Sequence, residues 1–244
     1  MQELGVAGIV FLAAFTQGVV GFGFGLVAMG LLPLLVPELV AIPLVAIYSL
    51  CVAAFIAWQV RAHISWTRLR PLLVGLVVGV PLGIAFLTTV DPRWIRLTLG
   101  VFLVAYVLWS LTFAARLGGR HVSDRWGYLA GLLSGVLGGA FNTGGPPLAV
   151  YVTMKDWSKD ATKATLQVLF ALTSVLAIVG HATTGRMTPD VLRLTAIVLP
   201  AVVAGVWVGA RLYARIDQRT FQRGLLAVLF IVGLVFMNKA LHVL

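Results

Sequence analysis

A glycine-studded apolar stretch occurs once in each half of the chain, and it limits the possible folds more than any other feature. The first copy reads Gln17-Gly18-Val19-Val20-Gly21-Phe22-Gly23-Phe24-Gly25. The second reads Ser134-Gly135-Val136-Leu137-Gly138-Gly139-Ala140-Phe141-Asn142-Thr143-Gly144-Gly145-Pro146-Pro147. Both lie within strongly apolar segments, and both carry residues that a continuous membrane helix avoids. Backbone broken at membrane depth is tolerated only where it is buried in protein or lines a cavity. Paired interruptions at corresponding places in two halves point to the binding site of a transporter.

Composition removes the soluble alternatives. Sixty per cent of the residues are hydrophobic and 11% are charged, against roughly 25% charged in an average soluble domain. The net charge of +10 does not signal nucleic acid, because the bases sit in short loops between apolar runs, as loop anchors do. Cys51 lies in an apolar run and reads as a small packed residue. No cleavable signal peptide is expected, since Met1-Gln2-Glu3 lacks a basic region and the apolar run behind it is too long.

Eight apolar segments follow, at about 4–36, 38–60, 71–90, 94–114, 126–154, 164–184, 190–211 and 221–241. Six have the roughly 20-residue length of one bilayer crossing. The first and fifth, about 33 and 29 residues long, would overshoot a core of about 30 Å as straight helices. A hairpin of two half-length helices folded at the glycines fits that length better.

The distribution of charge tests the idea. Eight simple crossings divide the 18 Lys and Arg residues evenly between the two faces. If segments one and five each return to the face they left, thirteen bases share one face: Arg61, Arg68, Arg70, Arg116, Arg120, Arg125, Lys155, Lys159, Lys163, Arg211, Arg215, Arg219 and Arg223. Only Arg93, Arg96, Arg186, Arg193 and Lys239 remain opposite. The positive-inside rule makes the richer face cytoplasmic and places both termini on the outer face.

The halves match beyond the glycines. Gly79-x3-Gly83-x7-Asp91-x-Arg93 recurs as Gly205-x3-Gly209-x7-Asp217-x-Arg219, a shift of 126 residues. The glycine clusters align at a shift of 117, pairing Gly18 with Gly135 and Gly21 with Gly138. Each Gly-x3-Gly pair alone would serve close helix packing. The expected fold is an all-α polytopic membrane protein in one membrane domain, with two inverted repeats, 1–118 and 119–244. Each repeat holds a broken or re-entrant glycine-rich helical hairpin plus three transmembrane helices, and an odd number of crossings inverts the second against the first.

These residues resemble a known family. Phe15-Thr16-Gln17-Gly18-Val19-Val20-Gly21-Phe22-Gly23-Phe24-Gly25 with Pro33 beyond it, and Gly131-x2-Ser134-Gly135-x2-Gly138-x5-Gly144-Gly145-Pro146, look like the duplicated motifs of the TauE/SafE sulfite-exporter family. The resemblance spans nearly the whole chain. It implies a multi-pass carrier of the bacterial inner membrane that moves sulfite, or an organosulfonate such as sulfoacetate, outward. Members differ in substrate, so it speaks for anion transport more than for sulfite.

The chemistry of the breaks leads to the same place independently. A helix N-terminus offers free N–H groups and the positive end of the helix dipole. Glycines let an anion reach them. The candidate substrate-binding residues are Gln17, Gly21, Gly23, Gly25, Ser134, Gly138, Gly139, Asn142, Thr143, Gly144, Gly145 and Gln167. The bland reading of both clusters is close helix packing, and an interhelical hydrogen bond would account for Gln167 equally well. His181 is a candidate for carrying a coupling proton and Lys163 for drawing anions to an entrance, although an interfacial histidine and a snorkelling anchor are the commoner roles. Trp66, Trp94, Trp126 and Trp157 read as interface residues.

No enzyme is expected. Acids and histidines are scattered, and His63 and His121 lack metal-ligand spacing, so neither a metal nor a cofactor is implied. There is no Walker-type nucleotide loop. The expected partners are a small anionic substrate, membrane lipids and a candidate second copy of the chain. The competing readings are a polyprenyl-phosphate translocase and a membrane-embedded lipid-phosphate enzyme.

Overall fold

The glycine clusters end two helices, and the rest of the bundle is arranged around those ends. The computed structural model describes residues 2–112, 122–155, 157–212 and 218–241. Arg116, Arg120, His121, Arg215 and Asp217, with the expected repeat boundary at 118, lie outside the described residues. The α-helices are α1 (Gln2–Val20), α2 (Phe24–Leu31), α3 (Glu38–Gln59), α4 (Trp66–Thr89), α5 (Pro92–Thr112), α6 (Arg125–Phe141), α7 (Gly145–Thr153), α8 (Lys159–Thr183), α9 (Pro189–Leu212) and α10 (Gln218–Leu241). No strand occurs among the described residues. Among the described residues six helices are long and apolar enough to cross a membrane: α1, α3, α4, α5, α8 and α9. The described apolar stretch of α10, Leu229–Leu241, is shorter.

Local chemistry explains each break. α1 stops because Gly21 and Gly23 take φ of 88° and 107°, values that side-chain-bearing residues rarely adopt. α6 stops at Asn142, the one described non-glycine residue with positive φ, at 55°. Asparagine tolerates that left-handed state. Its N–H bonds the Gly138 carbonyl at 2.9 Å, and the Thr143 N–H bonds Leu137 at 3.3 Å, which satisfies carbonyls left over at the helix end. α7 then opens on Gly145-Pro146-Pro147, where proline's missing N–H is no loss. The arms are unequal, 19 and 8 residues around the first break and 17 and 9 around the second, instead of the equal half-length arms expected. The glycines that set φ lie toward the far end of each segment, so the fold falls late.

The register of the breaks also differs from the one suggested by matching glycines. α1 and α6 end at Val20 and Phe141, and α2 and α7 begin at Phe24 and Gly145, a shift of 121 residues instead of 117. Asn142 therefore stands where Gly21 does. The reason is that Gly131, Gly135 and Gly139 are packing residues inside α6, and a methyl on any of them would overlap or crowd α4 backbone at Leu72, Leu76 or Val80. Gly18 does the corresponding work in α1, lying where a methyl would sit 2.9 Å from the Val206 carbonyl of α9.

Small residues bring the long helices together in pairs. α4 packs on α6, and α1 on α9, where Gly205 and Gly209 lie against the Phe11 and Phe15 carbonyls. α3 packs on α8 and α5 on α10. Exchanging the two halves exchanges the first two pairings and leaves the last two unchanged. Apolar side chains such as Val74, Val78, Leu82 and Val203 face outward, as a lipid-facing surface requires.

The two broken segments close at opposite ends of the bundle. Gln2 at the start of α1 donates from Nε2 to the Leu35 carbonyl at 2.8 Å. Glu38–Arg96 at 2.6 Å and Glu3–Arg193 at 3.4 Å lie at that same end. At the other end Lys155, just past α7, bonds the Val122 carbonyl at 2.7 Å and Asp124 at 2.5 Å, just before α6.

Candidate functional site

The two breaks touch. Gly25 in α2 lies directly on the Asn142 carbonyl, and a methyl at Gly25 would overlap it. Between them is a cavity of about 20 Å³ lined by Gln17, Gly23, Gly25, Leu26, Ser49, Asn142, Thr143, Gly145 and Phe170. That volume is room for about one water molecule.

Two helix N-termini converge on this cavity. In α2 the Phe24 N–H donates to Gln17 Oε1 at 3.2 Å, which leaves the amides of Gly25 and Leu26 as the next donors of the first turn. In α7 Pro146 and Pro147 carry no N–H, so Gly144 and Gly145 supply the amides there. Both dipoles put their positive ends at the same spot.

Gln17 and Gln167 are hydrogen-bonded to each other beside the first break. Gln17 Nε2 donates to Gln167 Oε1 at 2.9 Å, and Gln167 Nε2 donates to the Gly21 carbonyl at 2.6 Å. Together they hold the Gly21 carbonyl just past α1 and the first amide of α2. Asn142 turns its Nδ2 to the Ile42 carbonyl at 3.0 Å and keeps Oδ1 buried without a partner. Ser134 is fully buried with its hydroxyl unpartnered. It lies behind Gly144, where a methyl would come 2.7 Å from Ser134 Oγ.

The remaining expected residues lie further off. Gly138 packs on Thr173 of α8, and Gly139 on Val80 of α4. Gly21 contributes its carbonyl to Gln167, and the Lys163 stem runs beside it, 3.8 Å from where a Gly21 methyl would sit. His181 is fully buried with neither ring nitrogen partnered. It stands fourteen residues along α8 from Gln167, about 21 Å at the helical rise, and does not line the cavity. Arg186 beyond it donates to the Leu87 carbonyl at 3.1 Å, and burial lowers its pKa from the usual value. Among the described residues no group of acids, histidines and cysteine forms a metal site.

Sequence reasoning missed Leu26, Ser49 and Phe170. Ser49 left a faint signal as a hydroxyl in the apolar run of α3. The other two are ordinary apolar residues brought in by packing.

Comparison with known proteins gives this geometry its context. The model of the family described as Sulfite exporter TauE/SafE matches residues 6–236. The chain belongs to this family. It is 25% identical over 243 residues to the Probable sulfite/organosulfonate exporter TauE of Cupriavidus necator, covering 98% of this chain and 94% of that one. It is also 25% identical over 174 residues to the Probable inner membrane transporter protein TsaS of Comamonas testosteroni, covering 70% and 72%. No solved structure matches significantly. As a TauE/SafE member the chain is a multi-pass membrane transporter and not an enzyme.

Proposed function

We propose that the protein exports a small sulfur oxyanion, sulfite or an organosulfonate, held near the bilayer midplane between the two breaks. The observation that carries the reading is the convergence of the α2 and α7 N-termini on one glycine-lined cavity. Three acceptor oxygens of a sulfite or sulfonate suit several neutral N–H donors, which hold an anion without trapping it. A cavity the size of one water corresponds to a closed state that must widen to bind. The relative named as a sulfite/organosulfonate exporter supports the substrate class.

We further infer an inverted repeat with two re-entrant segments. The pairing of α4–α6 with α9–α1 supports it, as does the closure of the broken segments at opposite ends. The base-rich end is then cytoplasmic and the end bearing Gln2 external. Outward movement of an anion is downhill in a negative-inside potential by roughly 2.3 kcal/mol per charge per 100 mV, so export needs no pump.

A second reading has one observation in its favour. An apolar cavity of about 350 Å³ adjoins α7 and is lined by Phe102, Tyr106, Trp109, Trp126, Pro146, Pro147 and neighbouring residues. It would suit the chain of a polyprenyl phosphate.

Gly145→Ala separates the readings. A methyl there meets Phe22 at 3.4 Å and Phe170 at 3.7 Å, so the fold survives while the cavity fills. Sulfite or sulfoacetate efflux from proteoliposomes should fall at least tenfold with the protein still folded. Unchanged efflux removes the site, and movement of a polyprenyl phosphate without movement of either anion transfers the assignment to the lipid.

A further inference from the structure

A second chamber adjoins the break cavity. It measures about 190 Å³ and is lined by residues that include Val20, Phe22, Tyr106, Trp109, Ser110 and Thr153. Ser110 and Thr153 stand at the C-terminal ends of α5 and α7, so this chamber lies toward the end where Lys155 meets Asp124. Gly23 and Leu26 are walls of both spaces.

Phe22 borders the larger chamber and packs beside Gly145, a wall of the smaller one. It is absent from the smaller one's own walls. Its ring edge lies 3.4 Å from where a Gly145 methyl would sit, and Gly145 and Phe170 are walls of the small cavity. Phe22 is half-buried, consistent with a ring facing the larger space. It is also mounted between Gly21 and Gly23, both in left-handed conformations. Glycine reaches left- and right-handed regions at similar cost, so the backbone between the Gly21 carbonyl and the Phe24 N–H can turn at Phe22 and Gly23 while the Gln17–Gln167 pair holds those two groups.

We propose that Phe22 is the gate between an antechamber, where a small organic anion waits, and the break cavity, where the anion is bound. The antechamber is mainly apolar with a polar minority, and its Tyr106 and Trp109 faces would hold the organic part of a sulfonate. The Lys163 stem lies beside Gly21, one residue from the gate. The proposal rests on the break cavity being the transport site, but gating can be read without any transport.

The test is thiol labelling in a Cys51→Ser background, with Ser49→Cys reporting the break cavity and Ser110→Cys the antechamber. The probe is an anionic methanethiosulfonate applied to purified protein. With Phe22 present, Ser110→Cys should label at least tenfold faster than Ser49→Cys. Adding Phe22→Ala should raise the Ser49→Cys rate at least tenfold and leave the Ser110→Cys rate unchanged. Phe22→Leu, which keeps an apolar plug of smaller size and serves if the alanine variant does not fold, should fall between. An unchanged Ser49→Cys rate in a folded Phe22 variant overturns the gate. Equal rates at the two reporters with Phe22 intact overturn the antechamber. Loss of sulfite efflux together with the expected labelling pattern would count against the substrate and leave the gate standing.

Discussion

Gln17 and Gln167, 150 residues apart, share a buried side-chain hydrogen bond of 2.9 Å, and each also holds a backbone group of the first break. The pair does at that break what capping residues do at ordinary helix ends, with the partners drawn from different halves of the chain. Burying a helix end without such partners leaves donors and acceptors at a cost of about 1–3 kcal/mol each.

That relationship predicts energetic coupling. Gln17→Leu and Gln167→Leu should each destabilise the protein, and the double variant should lose less than the sum, by about 0.5–3 kcal/mol. Denaturant unfolding in detergent measures the cycle. Additivity within about 0.3 kcal/mol would mean that the two side chains act separately.

Close approach of the breaks sets a steric prediction. Gly25→Ala places a methyl on the Asn142 carbonyl, whereas a methyl at Gly8 has nothing within 4 Å. The first variant should lose most folded protein in size-exclusion profiles, and Gly8→Ala should match wild type. A folded, active Gly25→Ala would require the breaks to lie further apart.

The left-handed backbone at Asn142 makes glycine the tolerated replacement. Asn142→Gly should retain the fold with a modest loss from the Ile42 hydrogen bond. Asn142→Ala adds left-handed strain of about 1–2 kcal/mol. Thermal melting should therefore order the three proteins as wild type, glycine, alanine; an alanine variant at or above glycine contradicts the assigned backbone.

Orientation is open to direct measurement. In a Cys51→Ser background, Thr188→Cys between α8 and α9 should label with an impermeant maleimide added outside intact cells. Ser123→Cys, before α6, should label only after permeabilisation. The reverse pattern would invert the topology, and labelling of both from one side would rule out segments that close at opposite faces.

The membrane class and most helix limits were readable from the chain because lipid demands continuous apolar runs of fixed length. The expected span at 38–60 became Glu38–Gln59, and 190–211 became Pro189–Leu212. The two interruptions were equally visible, since Gly21, Gly23 and the Gly144-Gly145-Pro146 run are local signals. Matching glycine letters misplaced the register of the breaks by one helical turn, because a glycine that turns the chain and one that admits a neighbouring helix look the same in sequence.

Residue types and their order along the chain thus determined a helical membrane transporter with two broken segments, through hydrophobicity, span length and glycine's backbone freedom. Tertiary structure decided which of those glycines face a cavity and which face α4, α8 or α9. It also joined Gln17 to Gln167 in one buried hydrogen-bonded pair, and brought Ser49 and Phe170 to the breaks. Those outcomes depend on contacts between residues as far as 150 positions apart, and neither periodicity nor composition encodes which distant side chain arrives.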